Sequence, residues 1–345
     1  MRFPNMVLPA EWEPQAAILL TWPHARSDWQ PWLAAVDSTF ATLAARISRY
    51  QTVIISCCDT AHGEHVLALL AAAGAVLEQI RCYSVPSNDA WARDHGPITV
   101  YRQGAPVLLN FHFNGWGGKF AYELDDQITQ RLHRLGAFGN TPLQDLELIL
   151  EGGSIESDGQ GTLLTTSRCL LAPTRNGLPR EALEQRLTEL LGIERFLWLH
   201  QGHLSGDDTD SHIDTLARFC DPGTIAYQAC TDTSDNDYLS LKAMEQELRA
   251  LRTASGEAYR LIPLPLPGAR YTEDGQRLPA GYANFLIINE AVLLPTYDDP
   301  ADALALAQLR RCFPEREVLG VPCLPLIQQY GSLHCVTMQL PAGVL

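Results

Sequence analysis

Six stretches of the chain space apolar residues three and four positions apart: 32–50 (WLAAVDSTFATLAARISRY), 65–74 (HVLALLAAAG), 121–136 (AYELDDQITQRLHRLG), 180–192 (REALEQRLTELLG), 237–252 (DYLSLKAMEQELRALR) and 300–313 (PADALALAQLRRCF). That period lines one face of an α-helix, so each stretch predicts an amphipathic helix. After each comes a short aliphatic or β-branched run, TVIISC, VLEQIRCYSV, LELILEGG, RFLWLH, YRLIPL and EVLGV, which reads as a strand. A polar loop and one or two further strands follow before the next helix, among them PITVYR, GTLLTTS and NFLIINEAVLLP. The order repeats along the chain and predicts an α/β protein.

The polar loops and strand starts carry the unusual residues: WARDHGP at 91–97, EGG at 151–153, DDTDSHID at 207–214, YANF at 282–285 and GSLHC at 331–335. Successive members lie roughly 50 to 70 residues apart, a spacing that suggests divergent copies of one supersecondary unit. Units arranged about an axis would bring these loops to one site, although any mixed α/β protein alternates helices, strands and loops. No linker rich in Pro, Gly or Ser divides the chain, so residues 1–345 are expected to form a single domain.

Composition narrows the function. Hydrophobic residues make up 46% and charged residues 19%, which suits a folded, soluble chain. The first residues, MRFPNMVLPAEWEP, lack a basic run followed by an apolar stretch, and no run of about 18 apolar residues occurs, so neither a signal peptide nor a membrane span is expected and the cytoplasm is the expected compartment. Nine cysteines include no CxxC pair and no structural-zinc spacing, so most should be reduced thiols. A net charge of -15 disfavours nucleic acid and anionic membrane as partners and draws in small cations.

In DDTDSHIDT, a strand beginning at HIDTLARF would turn His212 and Asp214 to one face, where a histidine and a carboxylate suit metal ligation or acid–base work. No HExxH or EF-hand register accompanies them, and Asp207, Asp208 and Asp210 fit a turn that caps its own backbone. In SNDAWARDHGP, Asp89, Arg93, Asp94 and His95 surround Trp91, which could line a pocket for a flat cation or plug the core. Glu151 precedes two glycines that permit close approach or simply make a turn, and SDGQG downstream reads as a hairpin without chemistry. Cys335 follows a Gly-Ser turn and opens an alternating run, so it could react. Alternation would send His334 to the opposite face, which makes it a poor base for that thiol.

Seven segments in order, AEWEPQAAILLTWP, WARDHGP, FNGWGGK, EGGSIESDG, SHIDTLARF, YANF and GSLHCVTMQLP, resemble the agmatine deiminase and bacterial-type peptidylarginine deiminase family of guanidino-group-modifying enzymes, over nearly the whole chain. The resemblance implies a pentein fold, a five-bladed α/β propeller of ββαβ-type units around a central active site. It implies Cys335 as nucleophile, His212 as general acid and base, Asp94 and Asp214 as the carboxylates gripping the guanidinium, and Glu151 as the residue orienting the histidine. Asn284 matches the family's substrate-side asparagine, and Trp91, Trp116 and Trp22 match pocket walls. No cofactor and no metal is implied, and the partner is a small cationic guanidine. A homodimer is a common form at this size.

The chemistry accounts for those residue types. A delocalised guanidinium carbon resists attack until paired carboxylates fix its plane and localise its charge, and it needs a nucleophile stronger than water. The expected reaction is hydrolysis of agmatine to N-carbamoylputrescine and ammonia through a covalent thiouronium. YGSLHC stands where plant-type agmatine deiminases carry a glycine-rich run, and ESDG stands where they carry a histidine, so arginine in peptides is the alternative substrate. A metal-dependent hydrolase built on the aspartate run and a non-catalytic cation binder are the readings from other classes.

Overall fold

The computed structural model describes residues 6–345. Of the amino-terminal segment read above for a signal peptide, residues 1–5 lie outside the described part. One local arrangement recurs five times: two antiparallel strands, a helical crossover, and a third strand parallel to the second. Ile98–Arg102, Ala105–His112 and Leu143–Ile149 form one such unit, joined at its edge by Met6–Val7. Ile155–Ser157, Thr162–Thr166 and Arg195–Leu199 form the next, and Ala217–Asp221, Thr224–Gln228 and Arg260–Leu264 the third. Leu286–Ile288, Ala291–Thr296 and Glu317–Pro322 form the fourth.

The fifth unit takes strands from both ends of the described chain. Thr337–Pro341 pairs antiparallel with Gln15–Thr21, which runs parallel to Thr52–Cys57, and Ile80–Ser84 extends the sheet. Because that pairing is antiparallel, the turn before residue 337 lies beside the carboxy-terminal end of Gln15–Thr21. Parallel pairing requires a crossover, and the predicted helices supply it: Leu33–Ile47, Ile128–Arg134, Arg180–Leu191, Tyr238–Ala250 and Ala301–Cys312, with Thr60–Ala72 between the last two strands of the fifth sheet.

Strands buried on both faces explain their unbroken apolar runs. Along Gln15–Thr21, Ile18 and Leu20 join the core that holds Phe40 and Val66, whereas Ala17 and Leu19 join the core that holds Leu108 and Leu340. Ile55 and Ile54 divide in the same way on the neighbouring strand. A third core surrounds Phe219, Met244 and Leu248.

Three sequence expectations change in detail. The predicted helix 121–136 is regular only over Ile128–Arg134, because its first half is pinned by other parts of the chain. Asp125 accepts the backbone N–H groups of Asn88 and Asp89, and Asp126 accepts that of Phe113. The run 76–85 contributes only Ile80–Ser84 to the sheet, following a 3-10 turn at Leu77–Gln79. NFLIINEAVLLP contains two strands joined at Asn289–Glu290 rather than one.

Candidate active site

Each unit is entered through a turn, and these five turns carry the residues singled out above. Ala92–His95 precedes the strand Ile98–Arg102, Gly152–Ser154 precedes Ile155–Ser157, and Ile213–Thr215 precedes Ala217–Asp221. Tyr282–Phe285 and Gly331–Val336 stand in the same place before Leu286–Ile288 and Thr337–Pro341. Equivalent positions in repeated units are how residues distant in sequence meet. They meet very closely at Gly153, where an added methyl would lie 2.6 Å from His212 Nδ1, 2.8 Å from Asp94 Oδ1 and 3.2 Å from Asp214 Oδ2.

His212 and Asp214 therefore share a site, but not by the route expected. Ile213–Thr215 is a 3-10 turn and the strand begins only at Ala217, so strand alternation does not align them. The turn is built by its own polar groups, as expected of the aspartate run: Asp207 accepts from the backbone N–H groups of Thr209 and Ser211, and Thr209 Oγ1 accepts from the N–H of His212. Asp210, in left-handed backbone (φ 67°), pairs with Lys119 at 2.9 Å and Arg175 at 2.8 Å.

Asp94 and Asp214 are both buried and are held differently. Asp94 accepts from the backbone N–H of Gly153 at 3.0 Å and from the indole N–H of Trp116 at 2.9 Å, and its Oδ1 lies 3.6 Å from His212 Nδ1. The FNGWGGK segment makes the indole contact possible. Gly115, Trp116, Gly117 and Gly118 all have positive φ, so the backbone coils left-handed and the glycines spare it the usual Cβ clash. Burial raises the Asp94 carboxyl to about 6, partly offset by His212. Asp214 is desolvated as well, but the hydrogen bond and charge of His334, with help from His212 and Arg218, hold it below its ordinary value. Its Oδ1 has no protein partner among the described residues.

His212 is buried beside Asp94, Glu151 and Cys169. Burial disfavours its charged form, yet Asp94, Cys169 and Glu151 outweigh that and hold the ring well above its ordinary value. Ligand atoms of Glu151, Cys169 and His212 lie within 4.8 Å of one another, the one group among the described residues with donors gathered as for a metal. A cation already serves part of it: Arg175 Nε donates to Glu151 Oε1 at 2.7 Å, and its other nitrogens reach the carbonyls of Trp116 and Thr209. His212 Nε2 and Glu151 Oε2 have no hydrogen-bond partner among the described residues.

Cys335 is 5% exposed, with Sγ 3.3 Å from Asn284 Oδ1 and 3.8 Å from Asp214 Oδ2. The same amide oxygen of Asn284 accepts the backbone N–H groups of His334 and Cys335, and its Nδ2 donates to the carbonyl of Asp214. One asparagine thus ties the turn of Cys335 to that of Asp214. Burial, Asp214 and Asp94 push the Cys335 thiol well above its ordinary value. His334, as expected, is no base for this thiol, though not because of strand alternation: the strand starts at Thr337, and both ring nitrogens face carboxylates, Asp214 Oδ2 at 2.7 Å and Glu11 Oε2 at 2.7 Å.

Trp91, Trp116, Phe120, Tyr330 and Gly331 wall a narrow cleft whose polar lining includes Asp89, Asp94, Asp208 and Cys335. Gly331 is there because Trp91 leaves no room: a methyl on it would fall 2.2 Å from the indole ring. Trp22 is not a wall of this cleft. It is fully buried against Phe40 with its indole N–H on Asp37, and so belongs to the core.

A family model described as Porphyromonas-type peptidyl-arginine deiminase matches residues 7–341. The chain belongs to this family. It is 33% identical to the agmatine deiminase of Pseudomonas aeruginosa (strain LESB58), over 97% of this chain and 95% of that one. A cysteine-to-serine variant of the C. jejuni agmatine deiminase, solved with substrate bound, superposes with a TM-score of 0.90 at 34% identity, covering 97% of this chain and 96% of the other. A candidate arginine deiminase from Porphyromonas gingivalis superposes with a TM-score of 0.92 at 50% identity over 98% and 99% of the two chains. The deiminase family's mixed α/β fold is therefore the fold of this chain. Among the described residues no helix is long and apolar enough to cross a membrane.

Several residues around this centre carried no role in the sequence reading. Glu11 and Arg218 sit inside quoted motifs, but nothing local marks them as the supports of His334. Arg175, in APTRNGLP, and Cys169 have no periodicity or pairing that signals them. Only their side-chain contacts reveal them.

Proposed function

We propose that the chain hydrolyses the guanidinium group of a small cation, most simply agmatine to N-carbamoylputrescine and ammonia, through a covalent intermediate on Cys335. The observation that carries this reading is a pair of buried carboxylate oxygens without partners among the described residues: Glu151 Oε2, and Asp214 Oδ1, whose sister oxygen lies 3.8 Å from the Cys335 sulfur. Unpaired buried acceptors are costly, and a planar cation with several N–H donors would satisfy them together. In this reading the five units are the blades of a pentein propeller around that centre, within a single domain spanning the chain, and Asn284 and the indoles of Trp91 and Trp116 shape its walls.

The electrostatics fit a site that waits for a cation. A thiolate facing Asp214 and Asp94 is disfavoured while the cleft holds no positive charge. A guanidinium between those carboxylates reverses the sign of the local field, the thiol proton is released to solvent, and the thiolate attacks the central carbon. Protonated His212 gives its proton to the departing nitrogen, releasing ammonia and leaving a thiouronium. Neutral His212 then takes a proton from water as the water adds. Collapse of that adduct breaks the C–S bond, restores the thiolate and yields the ureido product, and the proton left over joins the ammonia as ammonium.

Agmatine is favoured by the lining of the cleft, which among the described residues offers Asp89 and Asp208 and no arginine or lysine. An ammonium tail suits that mouth better than a free α-carboxylate does. The higher identity to the Porphyromonas gingivalis protein supports arginine substrates as the second reading. Ammonia release should be measured on agmatine, free arginine and a peptide ending in arginine, with protein treated with chelator and checked by elemental analysis. Agmatine is expected to turn over fastest without metal, and Cys335→Ala is expected to abolish turnover. A stoichiometric bound metal needed for activity, or turnover surviving that substitution, would reject the mechanism.

A further inference from the structure

We propose that His334 is a positioning residue that, braced by Glu11 and Arg218, fixes the orientation of Asp214 so that one carboxylate oxygen is left free for the guanidinium. The inference rests on the reading of Asp214 just given and goes beyond it, because the His334 ring nitrogens reach Asp214 and Glu11 and the residue does not itself line the cleft.

The geometry is a buried chain of contacts with little slack. His334 is 1% exposed, and its two ring nitrogens reach Asp214 Oδ2 and Glu11 Oε2, each at 2.7 Å. Glu11 Oε2 also receives Arg218 Nη2 at 2.8 Å, and Glu11 Oε1 accepts the backbone N–H of Ile287 at 2.7 Å. Arg218 is fully buried, bonded through Nε to Glu156 at 2.6 Å and through Nη1 to the carbonyl of Phe285 at 2.7 Å, with its guanidinium over the Phe285 ring. Glu156 closes the chain by accepting the N–H of Phe219. Arg93 lies alongside, with Nη2 3.7 Å from Glu11 Oε2.

Each member is held by at least two partners until the end of the chain, where Asp214 Oδ1 has none among the described residues. A carboxylate can rotate about its Cβ–Cγ bond. Holding Oδ2 on a fixed imidazole N–H therefore selects which oxygen meets the substrate and at what angle. A group that only filled space would not need both nitrogens satisfied by charged partners.

The test separates the two ring nitrogens. The amide nitrogen of asparagine stands the same number of bonds from Cα as His Nδ1, and that of glutamine the same number as His Nε2. His334→Asn can thus keep the donor to Asp214 while releasing Glu11, and His334→Gln can do the reverse. Steady-state kinetics on agmatine should give kcat/KM about 100-fold below wild type for His334→Ala and His334→Gln, chiefly through KM, and within about 10-fold for His334→Asn, as expected for loss or retention of one charge-assisted hydrogen bond. Asparagine and glutamine variants of equal activity, with wild type active, would overturn the proposal in favour of simple packing. Should the histidine variants fail to fold, Glu11→Gln keeps an accepting oxygen in place with less charge behind the ring. It is expected to lower kcat/KM about 10-fold, and unchanged kinetics would overturn the proposal. A wild type silent toward every guanidine would sink the underlying reading as well.

Discussion

Asp94 and Asp214 are two carboxylates of the same centre, 4% exposed and fully buried respectively, yet their protons respond in opposite directions. Asp94 is held by a backbone N–H and an indole N–H, both neutral, with the His212 ring at 3.6 Å. Asp214 is held at 2.7 Å by an imidazole that is itself braced by an ion-paired network. Burial is nearly equal on the two sides, so the difference comes from the partners. Excluding water makes a carboxylate's charge expensive, and the close neighbour decides whether that cost is offset.

The comparison can be broken most severely at Asp214. Asp214→Asn should lower kcat/KM by roughly 10²- to 10³-fold, the range for deleting one preorganised electrostatic contact, and the deficit should be the same at pH 6 and pH 8 because the native carboxylate stays ionised throughout. Asp94→Asn should cost a similar factor at pH 8 and less at pH 6, where the wild-type residue is already partly protonated. A pH-independent deficit for Asp94→Asn would show that the two sites are alike after all.

The wild-type profile sharpens the contrast. A carboxyl raised to about 6 must lose its proton before it can grip a cation, so kcat/KM should fall about tenfold per unit as the pH drops below 6. Burial also raises Asp89 to about 6 and Asp208 to about 7 in the same cleft, whereas Asp214 lies lower, so the slope of log kcat/KM should be at least one. A flat profile between pH 5 and pH 7 would contradict the assignment.

The smallest kinetic effect is expected at Trp22. Trp22→Phe removes the indole donor from buried Asp37 and should cost about 1–3 kcal/mol of stability while leaving kcat and KM within about twofold. Thermal melting and kinetics on one preparation would check both halves, and a large kinetic loss would return Trp22 to the site.

Trp22 also illustrates what sequence can and cannot carry. Periodicity located the crossover helices because amphipathic spacing is a local property, and the recurrence of polar loops every 50 to 70 residues anticipated their meeting. Where the chain is bent by contacts from elsewhere, as at Asp125 and Asp126, local pattern overextended a helix. Cys335, His212, Asp94, Asp214, Glu151, Asn284, Trp91 and Trp116 were legible from motif resemblance, and they do gather. Trp22 carried the same kind of motif signal and is a core residue, since a motif does not say which way an indole points. Glu11, Arg175 and Arg218 were illegible because a support is defined by what it leans on, and that partner can be 207 positions away, as Glu11 is from Arg218.

The absent side chain at residue 153 has a longer consequence. With His212, Asp94 and Asp214 all within 3.2 Å of where a first carbon would project, the innermost chamber tolerates no added atom. Divergence that changes what the molecule accepts must therefore occur at the rim, around Phe120, Asp208 and Tyr330, while the reactive depth stays sterically closed to variation.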